Sequence, residues 1–319
     1  MKKWLGIFLL VIAGSIYAAY RYVESVCFKP LNYQTPLVFE LKRGMSAKAL
    51  ANELAGQGLV SHFGIAYALM RFQGYHQKLK AGEYLFDTEV SLDAFLKKLT
   101  TGDVMMHRVT LPEGLTTAQM LELIEQNKYL SGDVTEAAGE GELLPETYTF
   151  AKGESKNNII KKAKHDMELA VQHFWDNKSE GLPLKDKAEL VILASIIEKE
   201  TGVKAERAHI ASVFYNRLNK GMPLQTDPTV IYALTQGNKD LGRSLTRKDL
   251  GVDSPYNTYL YKGLPPTPIC NPGLKALEAA AHPDTTPDFY FVADGKGGHR
   301  FAKTLAEHNQ NIGLWLKNK

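Results

Sequence analysis

The chain of 319 residues is 44% hydrophobic and 23% charged. That is enough apolar material for a core and enough length for two domains with an accessory segment, and it excludes wholesale disorder. Its Lys and Arg outnumber its Asp and Glu by 38 to 35, but Lys2, Lys3 and Arg21 all fall in residues 1–23, where no acid occurs. The rest of the chain is therefore neutral, which argues against a nucleic-acid partner, whose binding rests on a basic surface.

In chain order, the first element is the run Trp4–Tyr20, 17 residues without a charge. At about 1.5 Å per helical residue it reaches roughly 25 Å, just enough to cross a bilayer. A cleaved signal peptide is the competing reading. Cleavage after Ala19 would, however, put the bulky Tyr17 three residues back, where a small residue is wanted. The expectation is a single-pass transmembrane anchor in the cell inner (cytoplasmic) membrane, closed by Arg21, with Lys2 and Lys3 holding the short tail in the cytoplasm and residues 24–319 outside it. The two cysteines, Cys27 and Cys270, lie far apart, form no metal-ligand spacing and are read as structural.

Residues 24–37, with Pro30 and Pro36, read as a tether. Beyond them lies an internal repeat. A shift of 70 residues superposes 38–61 on 108–131, so that Leu41 meets Leu111, Gly44 meets Gly114, Ser46 meets Thr116 and Leu54 meets Ile124. Each copy predicts a strand, a glycine turn, a Ser/Thr N-cap and an amphipathic helix. Between the copies, residues 82–86 alternate as a strand and Ser91 caps a helix over 92–99, so 38–104 is expected to be a compact module. The second half, 105–319, predicts helices over 157–175 and 185–200, a Pro/Gly-rich stretch at 251–273 and two strand-like runs around a glycine turn at 290–301. The fold class expected is α+β.

The most informative run is 187–202. From Leu190 to Ile197 every residue except Ser195 is apolar, so the helix should be covered on most sides. Glu198 follows at once. A carboxylate at the end of an apolar helix meets a low-dielectric wall that favours its protonated form and suits it to general acid work. The competing reading is an ordinary first polar residue, paired with a neighbouring Lys or Arg. Downstream, the cluster Gln225, Thr226 and Asp227 before Pro228, and then Tyr256 and Asn257, offer amides, hydroxyls and aromatic faces of the kind a sugar-binding cleft needs. Each also has a plain structural explanation, as a helix cap or a packing residue. Glu146, with Tyr148 beside it, is a second acidic candidate; a turn leading into a strand is its alternative.

The blocks ASIIEKET (194–201), NRL (216–218), LQTDPTVIY (224–232), YNTY (256–259), GLPPTPICNPG (263–273), AAAHP (279–283) and YFVADGKGGHRF (290–301) resemble the signature blocks of the YceG-like endolytic murein transglycosylases. The resemblance covers nearly all of 105–319, and the module at 38–104 is similar to the LysM-like subdomain of that family. It implies a YceG-like catalytic domain that cleaves the β-1,4 bond between N-acetylmuramic acid and N-acetylglucosamine in nascent glycan strands, leaves a 1,6-anhydro end and acts as a terminase of elongation. The family's catalytic glutamate maps onto Glu198.

On this reading Gln225, Thr226, Asp227, Tyr256, Asn257, Tyr148 and Glu146 contact substrate. No cofactor or metal is needed, and the partners are peptidoglycan strands, the membrane and, by location, peptidoglycan synthases. The rivals are a muramidase-type hydrolase in which Asp227 or Glu146 positions water, an acyltransferase using Ser195 and Lys199, and a non-catalytic glycan-binding scaffold. The Ser195–Lys199 step is four residues rather than the three of penicillin-binding enzymes. The nine histidines show no metal-binding spacing.

Overall fold

A computed structural model describes residues 2–238 and 241–317, with the side chains of residues 2–6 and 9 outside the described set. The chain divides into two compact units, residues 1–107 with 150–153, and residues 108–149 with 154–319.

The first unit opens with α1 (Lys2–Cys27). Among the described residues no helix is long and apolar enough to cross a membrane. The expected span at Trp4–Tyr20 begins on side chains outside the described set, and the helix that contains it runs on without a break through the polar Arg21 and Glu24. The segment expected as a tether does not hang free within this unit. Cys27 and Leu31 are buried in its core, Leu31 N–H donates to Val90 O at 2.9 Å, and the Tyr33 hydroxyl donates to Thr88 O at 2.7 Å.

That core is built on β1 (Leu37–Leu41), which pairs antiparallel with β2 (Gly82–Phe86), Phe39 facing Tyr84. The inward side chains of this hairpin pack against α2 (Ala47–Gly56), α3 (Phe63–Phe72) and α4 (Leu92–Thr101). Phe95 of α4 stacks on Phe86 with ring centroids 4.2 Å apart and meets Phe39 edge-on at 5.2 Å, the offset geometries that aromatic quadrupoles favour. The caps are as the sequence predicts, with Ser46 accepting from Ala49 N–H and Ser91 from Ala94 N–H. The helix α3 was not anticipated.

The strand β3 (Met106–Thr110) pairs with β4 (Thr147–Ala151), and residues 108–110 and 147–149 of these strands belong to the second unit. The chain passes between units within β3, and residues 150–153 return to the first. The next element, α5 (Thr117–Glu125), is held by a capping box of Thr116 and Gln119. The repeat is thus real at the level of local structure: strand, left-handed glycine, hydroxyl cap, helix. Gly44 and Gly114 have φ of 78° and 76°, a region open to glycine at little cost.

The helix α7 (Lys187–Glu200) is central to the unit. All eight residues from Leu190 to Ile197 are buried, against α6 (Lys156–Asp176), α8 (Arg207–Asn219) and α10 (Leu274–Ala281). At about 1.5–3 kcal/mol for each large apolar side chain removed from water, this helix is the unit's main anchor. It starts two residues later than predicted because Asp186 caps it by accepting from Glu189 N–H. It ends where Thr201 turns extended.

A short helix, α9 (Asp227–Thr235), follows α8. The strands β5 (Tyr290–Ala293) and β6 (His299–Ala302) form the expected antiparallel hairpin, with Asp294 accepting from Lys296 and Gly298 N–H inside its glycine turn. The unit ends in α11 (Leu305–Lys317).

Candidate active site

The apolar length of α7 delivers Glu198 to the helix end with its side chain 5% exposed. One carboxylate oxygen accepts from Arg207 Nη2 at 2.7 Å and the other from the backbone N–H of Gly273, the N-cap of α10, at 3.0 Å. The competing reading of a glutamate paired with a nearby base is therefore correct as geometry. It does not set the group's acidity, because burial outweighs the attraction of Arg207 and the Gly273 N–H and holds the Glu198 pKa above the ordinary carboxylate value. Glu113 adds negative charge in the same direction.

The other wall of the site comes from the second copy of the repeat. Gly114 is so close that a Cβ there would lie 3.7 Å from Glu198 Cγ and 3.6 Å from Lys199 Cδ. Lys199 Nζ donates to Gly114 O. That turn is fastened by Asn271, which is wholly buried. Its amide donates to Leu115 O at 3.1 Å and Thr117 Oγ1 at 3.0 Å and accepts from Leu143 N–H at 2.9 Å, while its backbone O accepts from Gly114 N–H. A small cleft of 40 Å³ lies between this turn and α9, lined by Gly114, Thr116, Lys199, Ile231 and Tyr232 among others; Gly114 and Lys199 are the two residues it shares with the surroundings of Glu198.

The predicted residues Gln225, Thr226 and Asp227 lead into α9, whose Pro228, Ile231 and Tyr232 line the cleft. Thr226 is buried and donates to Glu200 Oε2 at 2.6 Å, two residues beyond Glu198. Asp227, the first residue of α9, is exposed and accepts from the Tyr259 hydroxyl at 2.6 Å. Gln225 is exposed and takes a left-handed φ of 49°, a conformation that costs a non-glycine residue energy and concentrates at functional sites. Tyr256 packs on Tyr232 of the cleft with ring centroids 4.9 Å apart.

Three buried residues, Thr226, Asn257 and Tyr148, do not fit the expectation of contact with substrate. Asn257 is wholly buried, its amide donating to Leu250 and Val252 O and accepting from Tyr259 N–H, so it clasps a loop. Tyr148 is 2% exposed, and its hydroxyl donates to Leu144 O inside the core. Glu146 is exposed and accepts from the N–H of its neighbour Thr147.

A model of the YceG-like family matches residues 39–313. The chain belongs to the YceG-like family. It is 33% identical to an endolytic murein transglycosylase of Bacillus subtilis, across 97% of this chain and 92% of that protein. It is 27% identical to an endolytic murein transglycosylase of Streptococcus pneumoniae, of which it spans 64%. Among solved structures, a YceG-like protein from Listeria monocytogenes matches with a TM-score of 0.53 and 31% identity, over 87% of this chain and 99% of that one.

In this YceG-like chain the sequence reading missed Glu113, Gly273, Asn271 and the role of Arg207. Glu113 lies 85 residues from Glu198 and Gly273 lies 75 beyond it, and only packing around α7 unites them. The one available signal for Asn271 was its place in the block ICNPG.

The serine rival fails on geometry. Ser195 Oγ is wholly buried, donates to Ile192 O at 2.7 Å and accepts from Ile269 N–H at 3.0 Å, so it can meet no substrate. Both cysteines are free and buried. Among the described residues no group of His, Cys, Asp and Glu could hold a metal ion.

Proposed function

We propose that this protein is an endolytic lytic transglycosylase of peptidoglycan with Glu198 as its catalytic acid and base. The carrying observation is a buried carboxylate with a raised pKa, held by a cation and a backbone N–H, whose neighbours Gly114 and Lys199 line a cleft. Protonated Glu198 gives its proton to the glycosidic oxygen as the bond from the muramyl anomeric carbon breaks and positive charge develops on the ring. The resulting carboxylate, stabilised by Arg207 and Gly273 N–H, takes the proton of the same sugar's 6-hydroxyl, whose oxygen closes on the anomeric carbon. No water is consumed, and Glu198 ends protonated.

A hydrolase of the usual kind needs a second carboxylate across the bond. Here Asp227 is tied to Tyr259 and Glu113 shares Arg207 with Glu198, which favours the single-carboxylate scheme. Gln225, Asp227 and Tyr256 are then the groups that orient the sugar.

The test is product analysis on uncrosslinked glycan strands by mass spectrometry. Wild type should release anhydro-ended fragments and Glu198→Gln none, with the fold intact. Reducing ends one water heavier would replace this reading with a hydrolase, and an active Glu198→Gln would remove Glu198 from the chemistry.

The uncharged run at 4–20 and the basic tail before it support attachment to the inner membrane with residues 24–319 on its outer side. There the LysM-like first unit holds glycan beside the synthases and the enzyme ends their strands. Release of the full chain from membranes by alkaline carbonate would count against that placement.

A further inference from the structure

The guanidinium of Arg207 is shared unequally between two carboxylates. It is 6% exposed in its side chain, and its Nη2 lies 2.7 Å from Glu198 Oε1 and 3.7 Å from Glu113 Oε2. Its other two nitrogens, Nε and Nη1, are buried and have no hydrogen-bond partner among the described residues. An arginine normally meets a carboxylate with two parallel N–H bonds; here the fork is used at a single nitrogen, and buried N–H groups left unpaired are costly.

Glu113 is held close by a neighbouring glycine. A Cβ on Gly273 would lie 2.0 Å from Glu113 Oε1, so the absence of a side chain there is what admits this carboxylate. Gly273 has an ordinary φ of −78°, which leaves close approach as the reason for glycine.

We propose that Glu113 is a positioning residue that takes the Arg207 guanidinium from Glu198 when Glu198 must carry a proton and returns it when Glu198 becomes the carboxylate. Resting on the assignment of Glu198 as acid and base, this gives the reaction a counter-ion that follows the charge. Glu113 is 43% exposed in its side chain, so water reaches its carboxylate, whereas that of Glu198 is 5% exposed. Early in the reaction Arg207 drawn to Glu113 leaves Glu198 free to be neutral. Once the proton has gone to the leaving oxygen, the pair at 2.7 Å is the favoured one. The charged groups that act on Glu198 are Arg207 from the start of α8, Glu113 from the turn before α5 and Lys199 from α7 itself. Lys199 is already directed to Gly114 O, which leaves Arg207 as the movable cation.

The experiment is the pH profile of kcat/KM for the full-length protein and two variants. Glu113→Gln should move the alkaline limb to lower pH, with activity lost at pH 8 at least about threefold more than at pH 5.5, because the group that favours protonated Glu198 is gone. Glu113→Asp keeps the charge and should leave the limb near its wild-type place even if kcat drops. A limb unmoved in Glu113→Gln, with activity either kept or lost evenly across pH, would overturn the proposal. So would a limb moved equally by both variants. Glu198→Gln measured alongside separates the cases: if it is active, the catalytic assignment itself is at fault, whereas an inactive Glu198→Gln with an unmoved Glu113→Gln limb removes only the role of Glu113.

Discussion

Replacing Asn271 by Ala tests whether the turn that walls the site is held by one buried amide. The side chain bonds four partners, Leu115 O, Thr117 Oγ1, Glu140 Oε1 and Leu143 N–H, and their loss is unequal. Leu115 O still accepts from the backbone N–H of residue 271 at 2.9 Å, and Thr117 Oγ1 still reaches Gly139 O at 2.8 Å. Leu143 N–H, in contrast, has Asn271 Oδ1 as its partner at 2.9 Å and sits in a wholly buried residue.

One orphaned buried donor costs about 1–3 kcal/mol, and the three other lost bonds, whose acceptors keep partners elsewhere, add about 0.5 kcal/mol each, so the expected destabilisation is about 2.5–4.5 kcal/mol. In a unit of this size that lowers the melting temperature by roughly 5–12 °C. Thermal unfolding followed by circular dichroism reads it, and glycan cleavage at a temperature where the variant is folded should also fall, because the Gly114 turn loosens. Asn271→Asp keeps the acceptor for Leu143 but sets a second carboxylate 3.4 Å from Glu140, so it should be no better tolerated at neutral pH. A variant Asn271→Ala that melts within a degree of wild type and cleaves normally would refute the reasoning.

Two more outcomes follow from buried groups. Ser195→Ala strands the Ile269 N–H and should cost about 1–3 kcal/mol while leaving anhydro-product formation intact; abolished turnover in a folded variant would revive the serine mechanism. The raised Glu198 pKa also predicts a stability signature. The folded state binds this proton more tightly than the unfolded state, so the contribution is fully present below the unfolded value of 4.5 and is lost as pH rises through the folded value. Denaturant unfolding of wild type minus Glu198→Gln should therefore decline with pH across that window, and a difference that rises or stays flat contradicts the burial argument.

The elements that the sequence made legible are those where one local rule decides. The apolar run Leu190–Ile197 could only be a buried helix, so Glu198 at its end was found. The hydroxyl caps at Ser46, Ser91 and Thr116 and the Asp-Gly turn at Asp294 follow from side chains that bond nearby backbone. What stayed hidden depends on the fate of a polar group. Asn257 and Tyr148 are the right residue types for a sugar site, and the backbone carbonyls that occupy them belong to loops whose course no pattern gives. Arg207 was visible nine residues beyond Glu198, but its pairing needs the break at Thr201 and the start of α8, which bring it back against the end of α7.

The repeat shows how one local design serves two ends. Gly44 and Gly114 take the same left-handed backbone, so each is glycine for the same conformational reason. Their surroundings differ. A Cβ at Gly44 would meet nothing within 4 Å, whereas one at Gly114 would touch both Glu198 and Lys199. In the first copy the turn closes a small module onto its own core. In the second, the same turn is pressed against the end of a buried helix by Asn271, and Glu113 just before it is carried to within 3.7 Å of Arg207. The duplicated unit supplies rigidity in both places, and only its second copy meets a carboxylate that its own helix has taken out of water.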